Sequence, residues 1–378
     1  MRRPWVLPVL LLCLAALPAG MGKSAQPGEP TPSAGTVRAW VASLGNNSFA
    51  QRQQATQRLL DTGKTAVAPL AAALPSAGLE VRLRGFSILR RFALSADVEV
   101  ADTSLDALQT LAASADPRIS GAAKKAVGDL HQRRRDRAIQ SMRQLGGKFS
   151  TTPGKTTRVH IRAQWKGGND GLRHLGHLPD ISWLTLEDAP VTDAGLAHLA
   201  KLKDLKDLFL GRSKVKGPGL VHLKGLTKLE HLSLRYMAIE DRWLRQVGQM
   251  THIQSLGLDD TTVTNDSLTL ILQMTELKKL WLDRSNVTGE GLASLKPFTK
   301  LEMLDMDELK ISDEHLAVLA SFPNLTTLYL QGTPITDRAV EHLEKIKTLR
   351  SLSIQNSGIT DDGVARLKAA LPQLRVSR

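Results

Sequence analysis

The chain is poor in cysteine and in aromatic residues. Among its 378 residues there is one cysteine, and Phe, Trp and Tyr together make up 4%. That cysteine, Cys13, lies in an N-terminal apolar stretch, so a chain cleaved after it would have no disulfide, no cysteine metal site and no thiol nucleophile. Few aromatic residues suit a leucine-built solenoid better than a sandwich or a barrel.

Sequence signatures of catalysis are also missing. The chain has no Ser-His-Asp motif, no phosphate-binding glycine loop and no zinc-ligand spacing. His174, His198 and His222 recur every 24 residues, but a shared repeat consensus explains them better than a metal ladder does. The sequence therefore predicts a protein that is not an enzyme and that has no metal site and no cofactor.

The N-terminus has the composition of an export signal. Arg2 and Arg3 precede the apolar run WVLPVLLLCLAALPAG, which is short for a membrane span. We predict a signal peptide over residues 1–25 and a Pro- and Gly-rich linker over residues 26–35. The expected location is exported, meaning periplasmic, cell-envelope or extracellular. Membrane contact is expected only if the leader stays uncleaved as an anchor.

Helical patterning fills residues 36–148. Successive paired helices resemble HEAT-type repeats, and DPRISGAA carries a strong helix-start signal at Pro117. The domain is predicted to end in a capping helix, with Ile139, Met142 and Leu145 on one face, that covers the open end of the following repeats. Much of the net charge of +13 lies in this region. The basic stretch HQRRRDR has no interleaved aromatic residues, so no nucleic-acid partner is predicted.

A 24-residue repeat organises residues 149–378. A fixed period of this length indicates a solenoid. Each repeat is predicted to form a short strand, a turn and a short helix, because LTL alternates apolar and polar residues and TDAG is a turn with capping residues. No repeat can bury its apolar face alone, so neighbours must stack into one continuous core. The most regular apolar position is occupied by Leu184, Leu208, Leu232, Leu256, Leu280, Leu304, Leu328 and Leu352.

The repeat pattern resembles the leucine-rich repeat. L-x-x-L-x-L followed by [VI]-T-D-x-G-L-x-x-L matches the variant found in bacterial repeat proteins and in the repeat part of F-box receptors; VTDAGLAHL, ITDRAVEHL and ITDDGVARL carry it best. The resemblance implies an α/β solenoid, a horseshoe of about eight full repeats with a parallel concave sheet, preceded by the all-α HEAT-like domain. Eukaryotic extracellular members usually have disulfide caps, which this chain cannot form, so a bacterial source is favoured.

Three details of the repeat lead to further expectations. The Thr or the Asp of T-D-x-G, for example Thr192 or Asp193, should cap the helix that follows. Hydroxyl residues replace the usual Asn of the repeat and should bond the loop backbone; they are Ser213, Thr261, Ser285, Thr333 and Ser357. Trp243, Ser267 and His315 replace the Gly of the motif, which leaves the turn geometry of their repeats open.

The polar positions beside the leucine ladder should point into the hollow of the sheet. Asp259, Asp283 and Asp307 share one position in three successive repeats, about 4.8 Å apart from strand to strand. Aromatic residues share another position. Exposed aromatic rings beside charge are typical of binding hot spots. The predicted partner-binding residues are Phe209, Arg235, Tyr236, Asp259, Asp260, Trp281, Asp283, Asp305, Asp307, Glu308 and Tyr329.

These features predict a monomeric, non-enzymatic interaction module or scaffold. Its partner would be a protein with a basic or amphiphilic surface, held on the concave face. Two alternatives stay open: a substrate-recognition adaptor like the F-box repeat proteins, or an envelope glycan-binding or glycan-hydrolysing protein that uses Asp259, Asp283 and Asp307. A calcium site at these carboxylates is disfavoured, because the D-x-D loop spacing is missing.

Overall fold

A computed structural model describes residues 32–95, 97–150 and 157–378. The predicted signal peptide, residues 1–25, lies outside the described residues, as does the linker up to residue 31. The chain divides into two compact units, with the boundary between Arg133 and Arg134. Within the described ranges, no helix is both long and apolar enough to cross a membrane.

The first unit is helical, as predicted. Asp97 caps the helix Val98–Ala112 by accepting hydrogen bonds from the backbone N–H groups of Glu99 and Val100. Pro117 is the first residue of the helix Pro117–Gln144, where the Asp116 carboxylate accepts a hydrogen bond of 2.8 Å from the N–H of Arg118. The HEAT-like pairing of the helices stays a prediction. The helices are α1 (Ala34–Ser43), α2 (Phe49–Thr62), α3 (Val67–Ala73), α4 (Leu79–Phe92), α5 (Val98–Ala112) and α6 (Pro117–Gln144).

The second unit is a leucine-rich-repeat solenoid, as the period predicts. Its strands pair in sequence order into one sheet, antiparallel between the first two strands and parallel from the second strand to the eleventh. The strands are β1 (Lys148–Ser150), β2 (Thr157–His160), β3 (Ile181–Thr185), β4 (Asp207–Phe209), β5 (His231–Ser233), β6 (Ser255–Gly257), β7 (Lys279–Trp281), β8 (Met303–Asp305), β9 (Thr327–Tyr329), β10 (Ser351–Ser353) and β11 (Arg375–Ser377).

The leucine ladder forms the core in exact register. Leu184 pairs with Leu208, Leu208 with Leu232, and so on to Leu352, and each of these side chains is at most 2% exposed. Ala138 and Met142, from the last turns of α6, belong to the same buried cluster. The solenoid core therefore starts before the first strand.

The side opposite the sheet is built mainly of short 3-10 segments. A 3-10 helix rises about 2.0 Å per residue, more than an α-helix, so it crosses the repeat with fewer residues. The α-helical pieces are α7 (Asp193–Leu196), α8 (Asp241–Gly248), α9 (Asn265–Thr269), α10 (Val340–Leu343) and α11 (Asp361–Ala370). The 3-10 segments are Asp170–His177, Ala197–Lys201, Pro218–Leu223, Gly289–Leu295, Asp313–Ser321 and Asp337–Ala339.

The Asp of T-D-x-G caps the next repeat. The predicted cap on the repeat's own helix comes from the Thr instead, since Thr264, Thr336 and Thr360 each accept a hydrogen bond from a backbone N–H of the helix that follows. Asp193 accepts hydrogen bonds from the backbone N–H groups of Lys216, Gly217 and Gly219, at 2.8–3.0 Å. Asp193 is the first helical residue of α7, and its carboxylate bonds across to the neighbouring repeat. The same contact to the following Thr N–H is made by Asn169, Asn265, Asp313 and Asp337.

This inter-repeat cap explains the glycine of the motif. A Cβ on Gly291 would collide with the Asn265 side chain of the preceding repeat. Where the capping position itself is glycine, the facing position is large: a Cβ on Gly289 would collide with the ring of His315. Gly217 and Trp243 face each other in the same way. The departures from the motif are therefore matched in size, one small residue against one large one.

The predicted role of the hydroxyl residues is confirmed. Thr261 and Thr333 are buried and donate to the carbonyl oxygens of Leu258 and Leu330, at 2.5 and 2.6 Å. Ser213, Ser285 and Ser357 accept from the backbone N–H two residues later, at a longer 3.4 Å. The hydroxyls thus replace the missing Asn by two different local bonds.

The size matching predicts that substitutions at positions 289 and 315 have strongly non-additive effects on the free energy of unfolding. Gly289→Asn should destabilise the protein by about 2 kcal/mol, because the new side chain overpacks against His315. His315→Gly should also destabilise the protein, because it leaves a cavity beside Gly289 where the ring was. The double variant reproduces the Asn265–Gly291 pair and should recover most of the loss, with a coupling above about 1 kcal/mol. Urea unfolding of the four proteins measures it.

The control for this cycle is Gly176→Asn. A Cβ at Gly176 would have its nearest neighbour 3.8 Å away, so this change should cost less than about 1 kcal/mol. If the losses of stability from the two single substitutions at positions 289 and 315 simply add in the double variant, the size matching is contradicted.

Candidate partner-binding face

The concave face is made of side chains on either side of the buried leucine of each strand. Side chains alternate along a strand, so the residues directly before and after the buried leucine point away from the core. The parallel register aligns them into rows. The residues directly after the leucine, which we call the central row, are Thr185, Phe209, Ser233, Gly257, Trp281, Asp305, Tyr329 and Ser353.

Each strand of the repeat is followed by a turn, and Tyr236, Asp260 and Glu308 lie in the turns after β5, β6 and β8. Their backbone is left-handed, with φ of 59°, 50° and 58°. Such values are unfavourable for residues other than glycine, and Gly332 is the glycine at this position. Backbone hydrogen bonds to the next repeat hold the turn, such as Asp260 N–H to the carbonyl of Asp283 at 2.8 Å.

Asp259 is a buried carboxylate. It is 1% exposed, and the Nε of Arg235 lies 2.9 Å from its Oδ2. Burial raises the pKa of Asp259, while the charge of Arg235 opposes the rise. Asp259 and Arg235 thus face each other as an ion pair, which leaves little of the carboxylate accessible to a partner.

Asp283, Asp305 and Asp307 form an acidic cluster with unusual proton affinity. Burial raises the pKa of Asp283 to about 6 and that of Asp305 to about 7. Burial also raises the pKa of Asp307, although the N–H of Gln331 donates to it at 2.6 Å. The negative charges of the neighbouring aspartates add to these rises. The cluster therefore changes charge close to neutral pH.

Arginines on the turns reduce the negative charge of the face. Arg284 binds Asp260 through two hydrogen bonds of 2.8 and 2.7 Å and also lies 2.8 Å from Asp283. The bonds from Arg284 lower the pKa of Asp260. The guanidinium of Arg212 lies 3.8 Å from the centre of the Tyr236 ring. Asp260 and Tyr236 therefore have partners within the protein, and Asp305, Asp307 and Glu308 remain as the more accessible acids.

The aromatic residues fall into two groups. In the first group the ring of Trp183 contacts those of Phe209 and His160, with ring centres 5.1 and 4.6 Å apart and ring planes tilted by 42° and 44°. His160 and Trp183 were absent from the predicted set, although Trp183 occupies a flanking position of its strand. In the second group Trp281 and Tyr329 lie on either side of Asp305, in register on adjacent strands.

A depression of about 390 Å³ separates the two groups. Phe209 and Trp281 form its ends, and the small residues Ser233, Ser255 and Gly257 form its floor. The acidic cluster is not part of its lining. Among the described residues, no three His, Cys, Asp or Glu side chains are placed so that they could jointly hold a metal ion.

Comparisons with known proteins agree with the repeat architecture. A family model described as leucine-rich repeat matches residues 345–368. An internalin C2 from Listeria monocytogenes is similar at 23% identity, with a TM-score of 0.41, 55% of this chain covered and 84% of that one. An internalin F from the same species is similar at 23% identity, with a TM-score of 0.40, 54% of this chain covered and 69% of that one. A leucine-rich-repeat protein of Leptospira interrogans is similar at 16% identity, with a TM-score of 0.37, 55% of this chain covered and 62% of that one.

No curated protein sequence matches the chain. The leucine-rich-repeat assignment therefore depends on the repeat itself and on the parallel sheet that it forms. Its function has to be argued from the residues of the concave face.

The raised pKa values of the acidic cluster predict that removing one of its carboxylates stabilises the folded protein in a pH-dependent way. Because the pKa of Asp305 is raised from 3.8 to about 7 in the folded protein, this group lowers stability progressively as pH rises from about 4 to about 7. Asp305→Asn should therefore stabilise the protein at pH 8 by about 2 kcal/mol, with solvent screening included, and hardly at all at pH 4. Thermal unfolding at both pH values measures the difference.

Asp204→Asn is the matched control. Asp204 is a partly exposed aspartate paired with Lys228 at 2.5 Å, so its removal should change stability by less than about 1 kcal/mol at both pH values. An equal effect of Asp305→Asn at pH 4 and pH 8 would argue against the raised pKa.

Proposed function

We propose that the protein is a non-enzymatic interaction module that binds a protein partner on its concave face. The observation that carries this proposal is the in-register triplet of Trp281, Asp305 and Tyr329 on three adjacent strands. Two aromatic rings with a carboxylate between them suit a cationic side chain, which gains a cation–π contact and an ion pair at one place. The partner surface would therefore be basic or amphiphilic.

The electrostatics of the cluster support the same proposal. Asp283 and Asp307 lie beside Asp305, and their mutual repulsion contributes to the raised pKa values. A bound cation would relieve that repulsion, so binding of a basic group is favoured beyond the single ion pair. Binding would also weaken as the pH falls below about 7, because Asp305 and then Asp283 take up protons.

The wider setting of this function is also proposed. The predicted leader over residues 1–25 supports export to the periplasm, the cell envelope or the outside of a bacterial cell. The protein would act as a monomer, without a cofactor and without a nucleic-acid partner. The F-box-like adaptor and the glycan-directed protein stay predictions that no contact on this face favours.

A charge reversal at position 305 tests the proposal. Partners are first captured from bacterial envelope extract by photo-cross-linkers placed at Thr327 on the concave face and, for comparison, at Lys296 on the opposite side. A partner captured only from position 327 should bind Asp305→Lys at least tenfold more weakly, because the lysine repels its basic group. Binding of the purified partner by titration calorimetry measures the loss.

Asp266→Lys makes the same change of charge at an exposed position of α9, away from the sheet. This control should keep full affinity. Equal binding by both variants, or capture from position 296 alone, would contradict binding at the concave face.

A further inference from the structure

Ring contacts on the concave face stop at the depression. The ring centres of His160 and Trp183 are 4.6 Å apart and those of Trp183 and Phe209 are 5.1 Å apart, with the ring planes tilted by 44° and 42°. On the next two strands the central row carries Ser233 and Gly257, and a ring returns at Trp281. The strands of Phe209 and Trp281 are three intervals apart, about 14 Å. The depression is therefore a gap of two positions without a ring in the central row, between Phe209 and Trp281.

The floor of the gap has an unsatisfied polar group. Ser233 is 7% exposed, and its Oγ is buried without a hydrogen-bond partner in the described chain. A buried hydroxyl in this state destabilises the free protein, by an amount comparable to a lost hydrogen bond. A ligand that reaches the floor with a hydrogen-bonding group would remove that cost.

Gly257 keeps the floor open beside this hydroxyl. A Cβ at position 257 would lie 3.2 Å from both Ser233 Oγ and Arg235 Cγ, closer than most carbon contacts. Any larger residue would also project into the gap, because the central row points away from the core. The glycine thus preserves both the depth of the depression and access to Ser233.

Charged groups surround the gap. Glu187 and Asp207 lie at the Phe209 end, Arg235 lines the middle, and Lys279 lies at the Trp281 end. Asp305 follows directly beyond Trp281 on the next strand. A protein segment that fills the gap with an apolar ring can therefore place a basic side chain on Asp305, two strand intervals or about 10 Å from Gly257.

We propose that this depression is the anchor pocket for a tyrosine side chain of the partner, an inference that rests on the proposed binding of a protein to the concave face. The tyrosine enters from above the sheet. Its ring stands beside Phe209, one strand spacing away, and its hydroxyl bonds Ser233 Oγ on the floor after a turn of the Ser233 side chain exposes that buried atom. Offset ring pairs and a satisfied phenol hydroxyl are the contacts that make tyrosine common at binding interfaces.

Tyrosine fits the gap better than a sugar does. A sugar ring brings several hydroxyl groups that each need a partner when they are buried. Of the two serine hydroxyls on the floor, that of Ser233 is buried without a hydrogen-bond partner among the described residues, and it lies beside Gly257 between the rings of Phe209 and Trp281. One ring with one polar tip matches this arrangement.

The test uses N-acetyl-tyrosinamide as the probe and the full chain labelled with 5-fluorotryptophan. Fluorine NMR should show shifts for Trp183 and Trp281, assigned by replacement of each, with an apparent Kd of about 1–10 mM for a single side chain. Trp243, on the helical side in α8, should not shift. N-acetyl-phenylalaninamide should bind about three- to tenfold more weakly, because it lacks the hydroxyl.

Two substitutions at Ser233 test separately the space in the gap and the hydrogen bond to its floor. Ser233→Phe fills the gap from within and should weaken the probe by more than about tenfold. Ser353→Phe is its matched control, since Ser353 occupies the same row on β10, and should leave binding unchanged. Ser233→Ala keeps the shape and should bind the tyrosine and phenylalanine probes equally, which keeps the test decisive if Ser233→Phe does not fold.

Other outcomes would overturn the proposal. No shift of Trp183 or Trp281 up to about 20 mM probe would exclude a tyrosine pocket. Binding of an N-acetylglucosamine trimer instead of the probe would assign the gap to carbohydrate. If a captured partner binds Ser233→Phe with full affinity but loses Asp305→Lys, the concave binding face stands and the tyrosine anchor fails.

Discussion

The repeat-to-repeat stacking of the leucine ladder is the constraint on which the rest of the structure depends. Leu184 to Leu352 pair in exact register and are almost fully buried. Since no repeat closes its own core, the polar contacts also run between repeats. The Asp193 cap, the Asp260–Arg284 pair and the backbone bonds of the left-handed turns each join one repeat to the next.

That rigid register turns the sheet into a fixed display of side chains. Residues 24 positions apart become neighbours on adjacent strands, so one substitution in one repeat changes a local surface without disturbing the fold. Trp281, Asp305 and Tyr329 form a cation-binding arrangement in this way, and Ser233 with Gly257 opens a gap beside Phe209. Both proposed subsites thus depend on the order of residues along one row.

The size matching between neighbouring repeats shows how such an array tolerates departures from its motif. Gly289 faces His315 and Gly217 faces Trp243, where other repeats place a carboxylate or amide against a glycine. The volume of the junction is kept while its chemistry changes from a hydrogen-bonded cap to a packed ring. Close packing makes this exchange necessary, because both a cavity and an overlap would destabilise the junction.

The sequence alone determined the solenoid, its eight leucine positions and the row in which Asp259, Asp283 and Asp307 lie, because a fixed period of 24 requires one register. It also suggested the aromatic row. Only the tertiary structure decided that Asp259 is buried under Arg235, that Asp193 caps the following repeat and that Ser233 lies on the floor of a gap. These properties depend on what the neighbouring repeat places opposite each residue, and a period gives the position of a side chain without giving its depth or its partner.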